Sequence, residues 1–135
     1  MGTAVRAVVF PDRQALMRLV GLLWLLFVTA ISMMPLKYKY RAGTTGVFHT
    51  PGHLVIFVVT ALLLCWRSPN IGSRFLRWLG ICCFAVAIEI LEWVTYHNRM
   101  EWKDVLVDVF GAAIGAAIVT LIPWISAGIR STEAP

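Results

Sequence analysis

Charge is scarce in this chain: only 14% of its 135 residues are Asp, Glu, Lys or Arg, where a water-soluble domain carries about a quarter. A soluble fold of this size needs a charged exterior, so that class is excluded and the outer surface must be largely apolar. Cysteine is almost as rare. Cys65, Cys82 and Cys83 are the three present, all inside apolar runs and without a CxxC pair, which excludes a disulfide framework and points to free, buried, structural thiols. HExxH, a nucleophilic serine motif and a phosphate-binding glycine loop are all missing, so no familiar hydrolase or nucleotide-binding chemistry is signalled. Long linkers, low-complexity tracts and internal repeats are missing too, and one domain is the expectation. Twelve basic residues against seven acidic ones give a net charge of +5. The basic residues stand in short clusters between apolar runs, which suits anionic headgroups rather than nucleic acid.

What the chain does have is apolar length. Hydrophobic residues make up 59% of it and the mean hydropathy is +0.78. About 20 mainly apolar residues cross a bilayer core as a helix, and four stretches qualify: Leu19 to Met34, Gly52 to Trp66 with help from Val47 to Thr50, Phe75 to Tyr96, and Asp104 to Ile125. The expected fold is all-α, a polytopic membrane protein with four transmembrane helices in a compact bundle. Residues 1–18 form a short N-terminal tail, 19–125 the transmembrane domain and 126–135 a C-terminal tail. The first apolar run reads as an uncleaved helix rather than a signal peptide, since its basic leader is long and three more spans follow. Arg6, Arg13, Arg18, Arg67, Arg74, Arg77 and Arg130 fall on the side shared by both termini, and Lys37, Lys39, Arg41, Arg99 and Lys103 on the other. Seven basic residues against five put both termini in the cytoplasm of a cell (inner or plasma) membrane.

Ionisable groups inside membrane helices are costly, so they face protein or a water-filled cavity and mark candidate sites. Glu89 lies seven residues before Tyr96, about 10 Å along the helix, and Asp108 about 6 Å into the last helix. His53 begins the second span, with Glu92, Arg99 and Asp104 at the same membrane face. At about 100° per residue, Asp104, Asp108, Gly111 and Gly115 form one stripe. Gly111 and Gly115 make a GxxxG pair that admits a close neighbour helix, and Glu89 and Glu92 share a face of theirs. The plainer alternative stands beside this: Asp104 as a helix N-cap, and Asp108 and Glu89 as structural ion-pair partners of Arg99.

The stretch EILEWVTYHNRMEWKDVLVDVFGAAIGA, Glu89 to Ala116, with GHLVIF around His53 and Phe57, resembles the VanZ-like family. The resemblance covers roughly Leu19 to Val119. Glu89, Arg99, Asp104, Gly111 and Gly115 match the family pattern, as do His53 and Phe57. Glu92 stands where Gln is usual and Asp108 where Asn is usual, which makes this face more acidic than the family's. The resemblance implies a bacterial four-helix membrane module of unsettled activity, associated by family analogy with glycopeptide (teicoplanin) resistance.

The function expected is a binding or accessory module at the cell envelope, using the polar cluster to meet a lipid headgroup or cell-wall intermediate. A membrane-embedded, metal-dependent hydrolase or transferase and a purely structural bundle are the alternatives. Proton-coupled transport asks for more than four helices, hence for further copies of the chain. Membrane lipids are the expected partners, nucleic acid is not, and no resident metal or cofactor is expected.

Overall fold

The computed structural model describes residues 13–41, 46–66, 68–97 and 99–132. Among these the chain is helical throughout its regular structure: α1 Arg13–Ser32, α2 Leu36–Arg41, a 3-10 turn Gly46–Phe48, α3 His49–Cys65, α4 Ile71–Tyr96 and α5 Trp102–Thr132. Four of these, in α1, α3 with its 3-10 lead, α4 and α5, are long and apolar enough to cross a membrane. They pack together as the expected four-span bundle. Large apolar side chains such as Leu26, Leu76, Leu106 and Phe110 lie more than 60% exposed, an exterior that suits lipid and not water. The fold is that of a multi-pass membrane protein.

Helix starts depart from the sequence expectation for local reasons. Asn70 Oδ1 accepts from the Ser73 backbone N–H (2.8 Å) in a capping box, so α4 begins at Ile71 and not at Phe75. The 3-10 turn runs straight into α3, which therefore starts at His49, before Gly52; Pro51 fits there because the first helical turn leaves its N–H groups unpaired. α1 starts at Arg13 and α5 continues past Pro123 to Thr132, so helix replaces part of each expected tail. Residues 1–12, 42–45 and 133–135, with Arg67 and Asn98, lie outside the described residues. The short α2 was not anticipated; its first turn is anchored by the Pro35 carbonyl, which accepts from the Tyr38 N–H (2.8 Å).

The core is thin and made of small and medium side chains. Phe57, Ala61, Cys65, Ile81, Ala85, Ala112 and Val119 form one buried cluster from α3, α4 and α5. α3 and α5 both start at the same membrane face and run parallel in close contact. Their approach is set by glycine: a Cβ on Gly111 would lie 2.6 Å from the Leu54 carbonyl oxygen, and one on Gly115 2.5 Å from that of Val58 and 2.7 Å from Ala61 Cβ. The GxxxG pair is thus a backbone contact, with Phe57 lying beside Gly111. α1 docks on α3 through a hydrogen bond from Trp24 Nε1 to Thr60 Oγ1, 2.8 Å. Its far end meets α4 where the Tyr96 hydroxyl donates to the Met33 carbonyl. At the other face, Arg77 donates to the Leu64 carbonyl at the end of α3 (2.7 Å), a favourable place for a cation. Of the cysteines only Cys65 is buried; Cys82 is half-buried and Cys83 exposed, and all three are free thiols, so the expectation of three buried thiols is corrected.

Candidate functional site

The close contact between α3 and α5 continues beyond the glycines into two polar rungs. His53 Nδ1 lies 2.9 Å from Asp108 Oδ1, and one helical turn nearer the membrane face His49 Nε2 lies 2.9 Å from Asp104 Oδ2. Each helix supplies its pair at a spacing of four residues, so both pairs project from one face. Parallel helices then match them rung for rung. The carboxylates are deeply placed, Asp104 5% and Asp108 1% exposed. A carboxylate so buried needs a directional donor, and in each case an imidazole provides it. The two rings contact edge to face, with centroids 4.7 Å apart.

A second group comes from α4 and α2. Glu89, 6% exposed, accepts from the Glu101 backbone N–H at 3.2 Å and so ties α4 to the start of α5. Glu92, one turn further along, takes Lys39 Nζ at 3.1 Å on both oxygens, pinning α2 over the bundle. Among the described residues Arg99 forms no ion pair with Asp108, Glu89 or Asp104; it is exposed at the rim of the cavity. The expected Arg99–carboxylate pairing is corrected: Asp104 and Asp108 are met by histidines and Glu89 by a backbone amide. The N-cap role for Asp104 is corrected as well. α5 begins at Trp102, and the Asp104 N–H already donates to the Glu101 carbonyl (2.9 Å), so its side chain is released to reach His49.

The polar cavity has a volume of about 190 Å³ and is walled by His49, His53, Glu89, Glu92, Arg99 and Asp104, with Lys39 and Glu101 at its edges. Asp108 lies behind His53, within the wall. Next to it an apolar cleft of about 440 Å³ runs between α1, α3 and α4 past Val28, Ile31, Val55 and Ile88. Lys39, His49, His53 and Glu92 line both spaces, so the two are adjacent. A still larger apolar cleft of about 820 Å³, with Arg18 and Arg77 as its charged residues, opens toward the opposite face.

All six candidate polar residues, His53, Glu89, Glu92, Arg99, Asp104 and Asp108, thus gather at one membrane face. Phe57, Gly111 and Gly115 form the packed floor beneath them. The residues missed from sequence are His49, as the partner of Asp104, and Glu101, through its backbone. The signal for His49 was present: His49-x3-His53 repeats the spacing of Asp104-x3-Asp108. No protein-family model matches the chain, and neither a curated protein nor a solved structure matches it.

Proposed function

We propose that this protein is a non-enzymatic binding module for a membrane amphiphile, a lipid or lipid-linked cell-wall intermediate, at the extracytoplasmic face of a bacterial cell membrane. One observation carries this reading: a polar cavity of about 190 Å³ and an apolar cleft of about 440 Å³ lie side by side and share four lining residues. A headgroup fits the first and the start of its hydrocarbon tail the second, a division of labour typical of ligand sites with a few polar groups on an apolar wall. Arg99 and Lys39 supply donors for the headgroup, and arginine's planar fork suits phosphate or carboxylate. The His53-to-Phe57 and Glu89-to-Ala116 resemblance supports placing the chain with VanZ-like proteins, and the seven-to-five distribution of basic residues supports cytoplasmic termini. Glycopeptide resistance follows from that analogy alone.

Gly52 allows a direct test. It lines the apolar cleft, and a Cβ added there meets nothing within 4 Å. Gly52→Leu should fold, because a helix gains from losing glycine, yet fill the cleft. Native mass spectrometry of protein extracted in mild detergent should show a specific lipid on wild type and at least a several-fold loss on Gly52→Leu. An identical lipid complement on both would overturn the proposal.

A further inference from the structure

The polar cavity is unbalanced in charge. Lys39 and Arg99 face four carboxylates, Glu89, Glu92, Glu101 and Asp104, with Asp108 just behind. An anionic headgroup entering alone meets a net negative wall at low dielectric, where like charges repel strongly. A divalent cation removes that conflict, and the donor set for one is in place. Ligand atoms of His49, His53 and Asp104 lie within 4.8 Å of one another.

We infer that His49, His53 and Asp104 bind one divalent first-row transition metal, of which zinc fits best, with a coordination position open to the cavity. Two imidazoles and a carboxylate suit zinc, whereas magnesium and calcium prefer oxygen alone. Three protein ligands with a fourth position left for water or ligand is the pattern of an open zinc site. In a tetrahedral site with bonds of about 2.0–2.1 Å, ligand atoms stand about 3.3 Å apart. His49 Nε2 and Asp104 Oδ2 are already 2.9 Å apart. With all ligand atoms within 4.8 Å of one another, no pair must close by more than about 1.5 Å to reach that spacing. Binding through His49 Nε2 needs the proton between His49 Nε2 and Asp104 Oδ2 to leave that nitrogen: in a neutral ring it is lost to water while Nδ1 takes one up, and an imidazolium releases it to water outright.

The strongest independent support comes from the residue behind the ligands. Asp108, 1% exposed, accepts from His53 Nδ1. That hydrogen bond fixes the tautomer and leaves the lone pair on Nε2. A carboxylate orienting a histidine through its second nitrogen is the arrangement that metal-ligating histidines almost always use. The open position then takes an anionic oxygen of the headgroup, phosphate or carboxylate, with Arg99 at the rim. This last role rests on the amphiphile reading; the metal site itself does not.

The test is titration of chelator-stripped, detergent-purified protein with cobalt, followed by its visible ligand-field bands, and with zinc in competition. One equivalent should bind. His49→Ala and His53→Ala should each weaken binding at least 100-fold. Asp108→Asn should weaken it about 10- to 100-fold, as loss of an orienting partner does. His97→Asn and Cys83→Ser should bind as wild type, which excludes the remaining histidine and the exposed thiol. Where a histidine variant does not fold, X-ray absorption on zinc-loaded wild type decides: two imidazole ligands support the site, and fewer than two, or sulfur, overturn it. Undiminished binding by His53→Ala, or no binding by wild type, also overturns it. Wild type that carries lipid but takes up no metal removes the metal site and leaves the amphiphile reading standing. Metal on the histidine pair with no lipid removes only the amphiphile reading.

Discussion

Arg99 differs from the buried carboxylates and the lysine at the cavity. The carboxylates are held by His49, His53, Lys39 and the Glu101 amide, whereas Arg99 is exposed at the rim with no ion pair among the described residues. It contributes little to packing, so Arg99→Lys should change stability by under about 0.5 kcal/mol, the usual range for surface changes. It should nonetheless lower bound lipid about five- to ten-fold. Lysine keeps the charge but not the planar fork, and one charge-assisted hydrogen bond is worth about 1–1.5 kcal/mol here. Lipid content and melting temperature of the purified variant check this together; a full lipid complement on Arg99→Lys would leave arginine as a simple headgroup snorkel. The cluster of acids was legible in sequence because carboxylates in apolar helices stand out by cost alone. Their partners were not. Arg99 is in a loop, where no periodicity gives a side chain's direction, and Glu89 is satisfied by a backbone amide that every residue possesses.

Helices were legible to the extent that their signal was apolar periodicity. The four spans came directly from it, and so did the stripe of Asp104, Asp108, Gly111 and Gly115, which proved to be the buried seam of α5 against α3. Ends were legible only where a breaker marks them. The second span was read from Gly52 with help from Val47 to Thr50, and His49 was not singled out within it, although a helix that starts at His49 accommodates Pro51 in its first turn. α2, six residues long, is too short to leave a periodic trace. The seam itself predicts an asymmetric response to bulk. Gly115→Leu drives a side chain into the Val58 carbonyl and Ala61, neither of which can rotate away, and should cost about 3 kcal/mol or more, the upper end for overpacking. Ile118 is 37% exposed, and Ile118→Leu conserves volume, so it should cost under about 1 kcal/mol. Thermal unfolding in detergent compares the two, and a Gly115→Leu protein as stable as wild type would refute the backbone contact.

At the scale of the molecule, two membrane faces differ in kind. One carries the carboxylates, imidazoles and the two adjacent cavities; the other carries Arg74 and Arg77, which donate to Thr120 (2.9 Å) and the Leu64 carbonyl. The proposed orientation rests on the basic residues at loops and ends. The site is expected outside. Cysteines introduced at Lys103 and Asn70, both exposed, in a background lacking Cys65, Cys82 and Cys83, should separate cleanly. An impermeant thiol reagent on intact cells should label position 103 and spare position 70, and the reverse would invert the topology.

The parallel course of α3 and α5 carries a further consequence, one of uniqueness. Because both polar pairs repeat every four residues, sliding α5 along α3 by one turn, about 6 Å, would preserve one of the two His–Asp contacts. Moved one way, Asp104 would meet His53; moved the other, Asp108 would meet His49. Polar pairing alone therefore tolerates three registers. Glycine does not. The first slip brings Val107 to the place of Gly111, against the Leu54 carbonyl, and the second brings Val119 to that of Gly115, against Val58. The apolar half of the seam thus acts as a ratchet for the polar half, ensuring that two histidines and two aspartates are aligned at once, which is the state in which a shared ligand can be held.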